Sequence, residues 1–177
     1  MTRAVLDLLE EVGPGALSMD EIAARAGVSK TTIYRRWDSK EDLIVDAIVN
    51  LVSTVQPPEA GDIREVLVTL LQRFRTFMTT AAAGSIFPWL VGEVSLGTEL
   101  GRHYATAVIL PRRQMIAGVI ADGVADGELR PDLDIEVAVD MLIGPPILRK
   151  LMGSFREPDA GWEEKLVDGL LLGWRVA

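Results

Sequence analysis

Between Arg25 and Trp37 the chain carries four basic residues, Arg25, Lys30, Arg35 and Arg36, and no acid, and Lys40 follows shortly after. Ser29, Thr31, Thr32 and Tyr34 are interleaved with them. Hydroxyls and cations bond phosphate oxygens, while threonine, tyrosine and arginine also reach base edges or thymine methyls in a major groove. The chemistry on offer is recognition of a polyanion. For catalysis the chain is poorly supplied. It has no cysteine and a single histidine, His103, which excludes disulfides, iron–sulfur clusters, cysteine-based zinc sites and histidine-rich metal sites. No Gly-rich phosphate loop, nucleophile elbow or metal pair is present, and serine, histidine and aspartate occur at no spacing that singles out a triad. The expectation is a protein that is not an enzyme and has no cofactor and no metal.

Positioning those side chains falls to short helices. Ser18-Met19-Asp20-Glu21 fits a capping box, in which Ser18 caps a helix and Glu21 reaches back. That helix runs to about Ala26, and Gly27 supplies a turn that needs a positive φ. Ser29 then caps a second helix, Lys30 to Trp37. Ala23 and Ala24 are small enough for the two helices to approach closely, with Ile22, Val28 and Ile33 pointing into a little core. Two helices joined by Ala26-Gly27-Val28-Ser29 make a helix-turn-helix. Before it, a helix from Met1 to Val12 carries Val5, Leu8, Leu9 and Val12 on one face and ends at Gly13-Pro14-Gly15. After it, Ser39-Lys40-Glu41-Asp42 starts a linking helix, with acids in its first turn where the helix dipole favours them. Its apolar stripe is Leu43, Ile44, Ala47, Ile48, Leu51 and Val52.

The whole chain bounds these readings. At 177 residues with 49% hydrophobic side chains, it is long enough for a packed core without staples. Net charge is −8, which taken globally argues against nucleic acid. The acid-free segment reverses that locally: a basic face on an acidic body still binds DNA. Mean hydropathy is +0.24, yet the longest uncharged stretch, Thr76 to Gly92, has 17 residues and is interrupted by Gly84-Ser85 and Pro88, too short to span a bilayer. The N-terminus has acids where a signal peptide needs an apolar run. A soluble cytoplasmic protein without a membrane partner is expected, its excess apolar surface covering a subunit interface.

Gln56-Pro57-Pro58-Glu59-Ala60-Gly61 reads as a linker and separates residues 1–55, with the linking helix Lys40 to Val55, from residues 56–177. Beyond it, Ile63, Val66, Leu67, Leu70, Leu71, Phe74, Phe77 and Met78 follow the spacing of an amphipathic helix. A shorter helix is expected around Trp89 to Leu96. A long one follows from Arg102 to Asp126, bent or restarted at Pro111, and stops at Gly127-Glu128-Leu129-Arg130-Pro131-Asp132. The next begins near Asp134, is disturbed at Gly144-Pro145-Pro146 and resumes through Leu151. The last carries Trp162, Leu166, Val167, Leu170, Leu171 and Trp174 on one face. No strand alternation is sustained anywhere, so the fold class is all-α.

The run from Ala16 to Leu43, ALSMDEIAARAGVSKTTIYRRWDSKEDL, resembles the DNA-binding signature of the TetR family of bacterial transcriptional regulators. Gly127-Glu128-Leu129-Arg130-Pro131 followed by Gly144-Pro145-Pro146 is similar to one C-terminal subtype. The resemblance implies an N-terminal three-helix helix-turn-helix domain, a C-terminal helical domain that binds ligand and dimerises, and a repressor acting as a homodimer on a palindromic double-stranded DNA operator. It also implies roles. Thr31, Thr32 and Arg35 become base readers, and Ser29, Tyr34 and Lys40 become phosphate contacts. Lys30 belongs to the same exposed face, and Arg36 suits either role. Trp37 stands where phenylalanine is more frequent and is expected to pack against the linking helix. Relatives start with a longer basic helix or arm, so arm contacts are missing or belong to residues outside this sequence.

For the second domain the resemblance implies a pocket for a small apolar or amphipathic ligand. Phe74, Phe77, Met78, Phe87, Trp89, Tyr104, Met115 and Met141 supply aromatic and thioether surface, and His103 one polar contact; each also fits an ordinary core. The dimer face is assigned to the last two helices through Leu142, Leu148, Trp162, Leu166, Leu170 and Trp174, with internal core as the other reading of the same residues. Two further alternatives stay open: a helical interaction protein that does not touch DNA, or an activator of the same fold that does not respond to a ligand. Asp20, Glu21, Glu41 and Asp42 read as helix-start residues, and Arg25 as solvated or phosphate-neighbouring.

Overall fold

In the computed structural model, residues 1–13, 16–52, 56–58, 61–152 and 159–176 are described, with side chains omitted at 81–83 and 85. Among them the secondary structure is helical, apart from an isolated bridge between Leu129 and Arg175. No helix among these residues is long and apolar enough to cross a membrane. The chain divides into two compact units, Met1–Thr54 with Phe77–Leu110, and Val55–Thr76 with Pro111–Ala177. Residues 77–110 thus pack with the N-terminal helices, while the sequence boundary at 55/56 lies beside only the first of three crossings. Pro14, Gly15, Glu59, Ala60 and the expected last turn of the linking helix, residues 53–55, lie outside the described residues.

The first unit is built from α1 (Thr2–Val12), α2 (Met19–Ala26), α3 (Lys30–Tyr34) and α4 (Lys40–Val52), joined by α6 (Ala81–Leu96) and α7 (Glu99–Tyr104). One core runs through it: Val5 and Leu9 of α1, Ile22, Ile33, then Leu43, Ile44, Ala47 and Ile48 of α4, closed by Ile86, Leu90, Leu100 and Tyr104. Ala23 is buried at the α2–α3 contact as its size requires, but Ala24 faces solvent. Gly101 has a steric reason to lack a side chain, since a Cβ there would run into the Glu93 carbonyl where α7 folds back on α6.

Proline produced the differences from expectation. Pro88 lies inside α6, which starts at Ala81, well before the expected Trp89. One interior proline costs about 3 kcal/mol, and burial of Ile86, Phe87 and Leu90 around it offsets that. Ahead of Pro111 the chain forms a π-helical turn, Ala105–Ile109, in which the Leu110 N–H reaches Ala105 O. This accommodates a ring that cannot donate to the preceding turn. The helix before it starts at Glu99, with Thr98 as its cap, and not at Arg102.

The second unit holds most of α5 (Ile63–Met78) together with α8 (Leu110–Ala125), α9 (Ile135–Met152) and α10 (Trp162–Trp174). Here α9 runs unbroken through Pro145 and Pro146, where an interruption was expected. Polar ties join α5 to α10: Arg64 grips Asp168 at 2.6 and 3.0 Å, and Gln72 donates to Glu164 at 2.9 Å. The Glu128 carboxylate accepts the Ile63 N–H at 3.0 Å, and the Arg130 N–H donates to Trp174 O at 2.8 Å. The Gly127–Asp132 loop therefore holds both the start of α5 and the end of α10.

Candidate nucleic-acid interface

The reading surface is set by two caps. Ser18 Oγ accepts the Glu21 N–H at 3.3 Å while the Glu21 carboxylate accepts the Ser18 N–H at 3.0 Å, so the capping box is complete. Gly27 then turns the chain at φ 66°, a left-handed conformation that a side chain disfavours. Ser29 caps α3 by accepting the Thr32 N–H at 3.2 Å. That helix is shorter than expected, ending at Tyr34, with Arg36 and Trp37 N–H groups closing a turn on the Ile33 carbonyl. Ile33 faces the core, fully buried, and the rest of α3 faces outward.

On this surface Ser29, Lys30, Thr31, Thr32, Tyr34, Arg35 and Arg36 are all exposed and come together, with Lys40 half-buried beside them at the start of α4. Their charges are not equivalent. Lys30 Nζ lies 2.7 Å from Asp20 Oδ1, whose carboxylate holds the ammonium above its ordinary range. Arg25 grips Glu11 through two bonds of 2.9 and 2.6 Å, so it braces α2 on α1 and does not stand free beside a phosphate. Lys40 Nζ donates to the Leu17 carbonyl at 3.1 Å, which aims it across the start of α2 and leaves two of its protons to give. Among the described residues, Arg35 has no carboxylate partner, and Arg36 lies over the Trp37 ring, 4.7 Å from its centroid. The Ser29 and Thr32 hydroxyls lie 2.9 Å apart. One of their two protons closes that contact and the other is free for a phosphate oxygen.

Sequence reasoning missed Asp20, the Leu17 carbonyl and Asp46, whose Oδ2 accepts from Trp37 Nε1 at 3.3 Å. Asp20 reads as a first-turn acid in any sequence scan, and no spacing rule pairs it with Lys30 on the next helix.

The expected ligand contacts are divided. Phe77, Met78, Phe87, Trp89, His103 and Tyr104 belong to the first unit, and Phe74, Met115 and Met141 to the second. Tyr104 is part of the first unit's core and Trp89 packs against it. His103 is not among aromatics: its Nδ1 is 3.1 Å from Asp42 Oδ1. It lines a polar groove of about 420 Å³ with Ser39, Glu41, Glu99, Arg102 and Thr106. Asp42 is thus more than a helix-start residue, since it joins the first turn of α4 to α7.

The expected dimer face needs correcting in detail. Leu142, Leu170 and Trp174 are buried within the chain, and Trp162 and Leu166 are half-buried. Of that set Leu148 alone is exposed. The outward apolar side of α9 is Val137, Met141, Leu148 and Leu151, with Gly144 at the intervening position. This is a spacing of four, three, four and three. Alongside it, α10 presents Gly169, Gly173 and Leu172, the last 90% exposed.

Comparison with known proteins matches both parts of the chain. Residues 2–47 fit the sequence family described as bacterial regulatory proteins, tetR family, and residues 57–170 fit the tetracyclin repressor-like C-terminal domain. The HTH-type transcriptional regulator YdeS of Bacillus subtilis is 37% identical over 150 residues, 84% of this chain and 75% of that protein. The DNA-binding transcriptional repressor TetR of Mycobacteroides abscessus is 28% identical across 94% of this chain and 87% of its own length. The crystal structure of the TetR family transcription regulator SCO0332 superposes with a TM-score of 0.81 at 33% identity, covering 97% of this chain and 94% of that one.

Proposed function

Because the chain belongs to the TetR family, and is therefore a helix-turn-helix transcriptional regulator and not an enzyme, we propose that it is a ligand-responsive repressor. It acts in the cytoplasm as a homodimer on a palindromic double-stranded DNA operator. The observation that carries the DNA-binding part is the exposed set on and after α3, where Arg35 lacks any carboxylate partner among the described residues on a chain of net charge −8. Thr31, Thr32 and Arg35 are assigned to base edges, and Ser29, Tyr34 and Lys40 to phosphates. Lys30 contributes less, its charge being already opposed by Asp20. Residues 1–55 form the DNA-binding domain in this reading, and 56–177 the regulatory and dimerisation domain.

The dimer forms through α9 and α10. What supports this is the apolar side Val137, Met141, Gly144, Leu148 and Leu151, whose four–three spacing is that of a helix seam packing against another helix. Two copies joined there hold two α3 helices for successive major grooves, about 34–36 Å apart. The ligand is small and apolar or amphipathic. Half-buried Phe74 and Met115 of the second unit are its proposed contacts. Ligand acts by favouring an arrangement in which the two α3 helices no longer match that spacing, and only a ligand with unequal affinity for the two arrangements shifts the balance.

A salt titration of binding to duplex DNA tests the reading. Binding through several phosphates must weaken steeply as salt rises, with a log–log slope of about −0.9 per phosphate neutralised. A folded, dimeric protein that shows no DNA binding at low salt would overturn it.

A further inference from the structure

The structure leaves one cation of the reading surface in an unusual setting. Arg36 follows the end of α3, is exposed, and has no carboxylate partner among the described residues. Its guanidinium lies over the face of Trp37, 4.7 Å from the ring centroid. Trp37 is itself buried, with its ring fixed at the other end by the Nε1–H bond to Asp46 of α4. We propose that Arg36 is a preorganised phosphate clamp, and that Trp37 and Asp46 are its positioning residues. This rests on the DNA-binding reading above and assigns Arg36 one of the two roles its sequence position leaves open.

Three arguments carry it. A guanidinium stacked on an aromatic face is held through its π surface, which leaves its in-plane N–H groups free to bond two oxygens of one phosphate. A long side chain already fixed in the bound geometry loses less freedom on binding than a free one. Position separates it from Arg35: Arg35 is the C-cap of α3 and keeps helical angles, φ −72° and ψ −16°. Arg36 lies one residue past the cap, farther from the N-terminal residues of a recognition helix that reach base edges. Tryptophan serves this purpose better than phenylalanine, because its face attracts a cation more strongly and its N–H gives the ring a polar anchor. Arg25 and Lys30 make the contrast, each held by a carboxylate that must be displaced or shared before a phosphate can bind.

The test uses the full chain and a duplex selected by the wild-type protein, with affinity measured across a salt series for Arg36→Ala, Trp37→Phe and the double variant. Arg36→Ala is expected to weaken binding about tenfold at every base sequence tried. It should also flatten the log–log salt slope by about 0.9. Trp37→Phe should cost about two- to five-fold when Arg36 is present, keep the salt slope, and cost nothing further in the Arg36→Ala background. Asp46→Ala repeats the comparison without touching the core ring, and it decides the matter if Trp37→Phe does not fold. Losses that simply multiply would overturn the clamp and leave Trp37 as packing alone. A preference change at one base position in Arg36→Ala would make Arg36 a base reader. Either result leaves the DNA-binding reading standing, whereas that reading falls only if the wild-type chain binds no duplex.

Discussion

The surface around α3 and the outward side of α9 and α10 are both made of exposed side chains on short stretches of helix, yet they were not equally readable. Around α3 the residue types themselves say which way they face. Cations and hydroxyls leave the core, Ile33 enters it, and two serine caps with one glycine fix the turn between helices. On α9 and α10 apolar residues fall on the buried and the outward side alike, so composition does not separate the two. Leu142 is fully buried and Met141, one residue before it, is 46% exposed. A rotation of one residue about the helix axis decides which residues a second copy would meet. Polar patterning is legible in one dimension, and apolar patterning on both sides of a helix becomes so only when the neighbours are known.

The largest effect that would break or sharpen this comparison is expected on the outward side of α9. Leu148→Arg should give a monomer by sedimentation and weaken binding to a palindromic duplex by about 100- to 10,000-fold, because the second half-site is no longer held nearby. A dimer of unchanged stability would remove α9 from the interface. Its buried neighbour should behave differently: Leu142→Ala should cost about 2–5 kcal/mol of stability in thermal or urea unfolding, and Met141→Ala far less in the same assay at monomer concentrations.

On the reading surface the effects are smaller and differ in kind. Arg35→Ala should cost about 1–3 kcal/mol and relax preference at particular base positions, which a binding comparison across single-base operator variants would reveal. Uniform loss would make Arg35 an anchor. Lys40→Ala should weaken binding at all sequences and lower the salt slope by about 0.9. Lys30→Ala should lower it less, since Asp20 already opposes that charge. Equal slopes for the two lysine variants would mean that the Asp20 pair opens on DNA.

The smallest effect concerns the second unit alone. Arg64 holds the Asp168 carboxyl below its ordinary value of 3.8. The pair's contribution to stability is therefore complete above that value and is lost as pH falls through the lowered one. Unfolding midpoints of wild type and Arg64→Ala should differ at neutral pH and converge in acid; a constant gap would mean that Arg64 acts through packing.

Much of the fold was legible because helix signals are local. The capping box at Ser18, the positive φ at Gly27, the Ser29 cap and the stripe of α5 follow from neighbours within four residues. Prolines misled for the opposite reason. Pro88, Pro145 and Pro146 each read as a break, yet α6 and α9 run continuously through them, and around Pro88 the burial of Ile86, Phe87 and Leu90 offsets the cost. The pairs that tune the reading surface, Lys30 with Asp20 and Trp37 with Asp46, join residues nine or ten apart, the first across α2 and α3 and the second from the segment after α3 to α4. Packing brings them together, and no periodicity announces it.

The central claim is that two copies of this surface, joined through the second unit, read DNA as a pair. Selection of bound duplexes from a random pool at near-physiological salt tests it most directly. The account predicts an enriched palindrome with half-sites about one helical turn, 10–10.5 base pairs, or a multiple of that apart, bound by two copies. Enrichment of a single half-site, or none by a protein shown to be folded and dimeric, would contradict it.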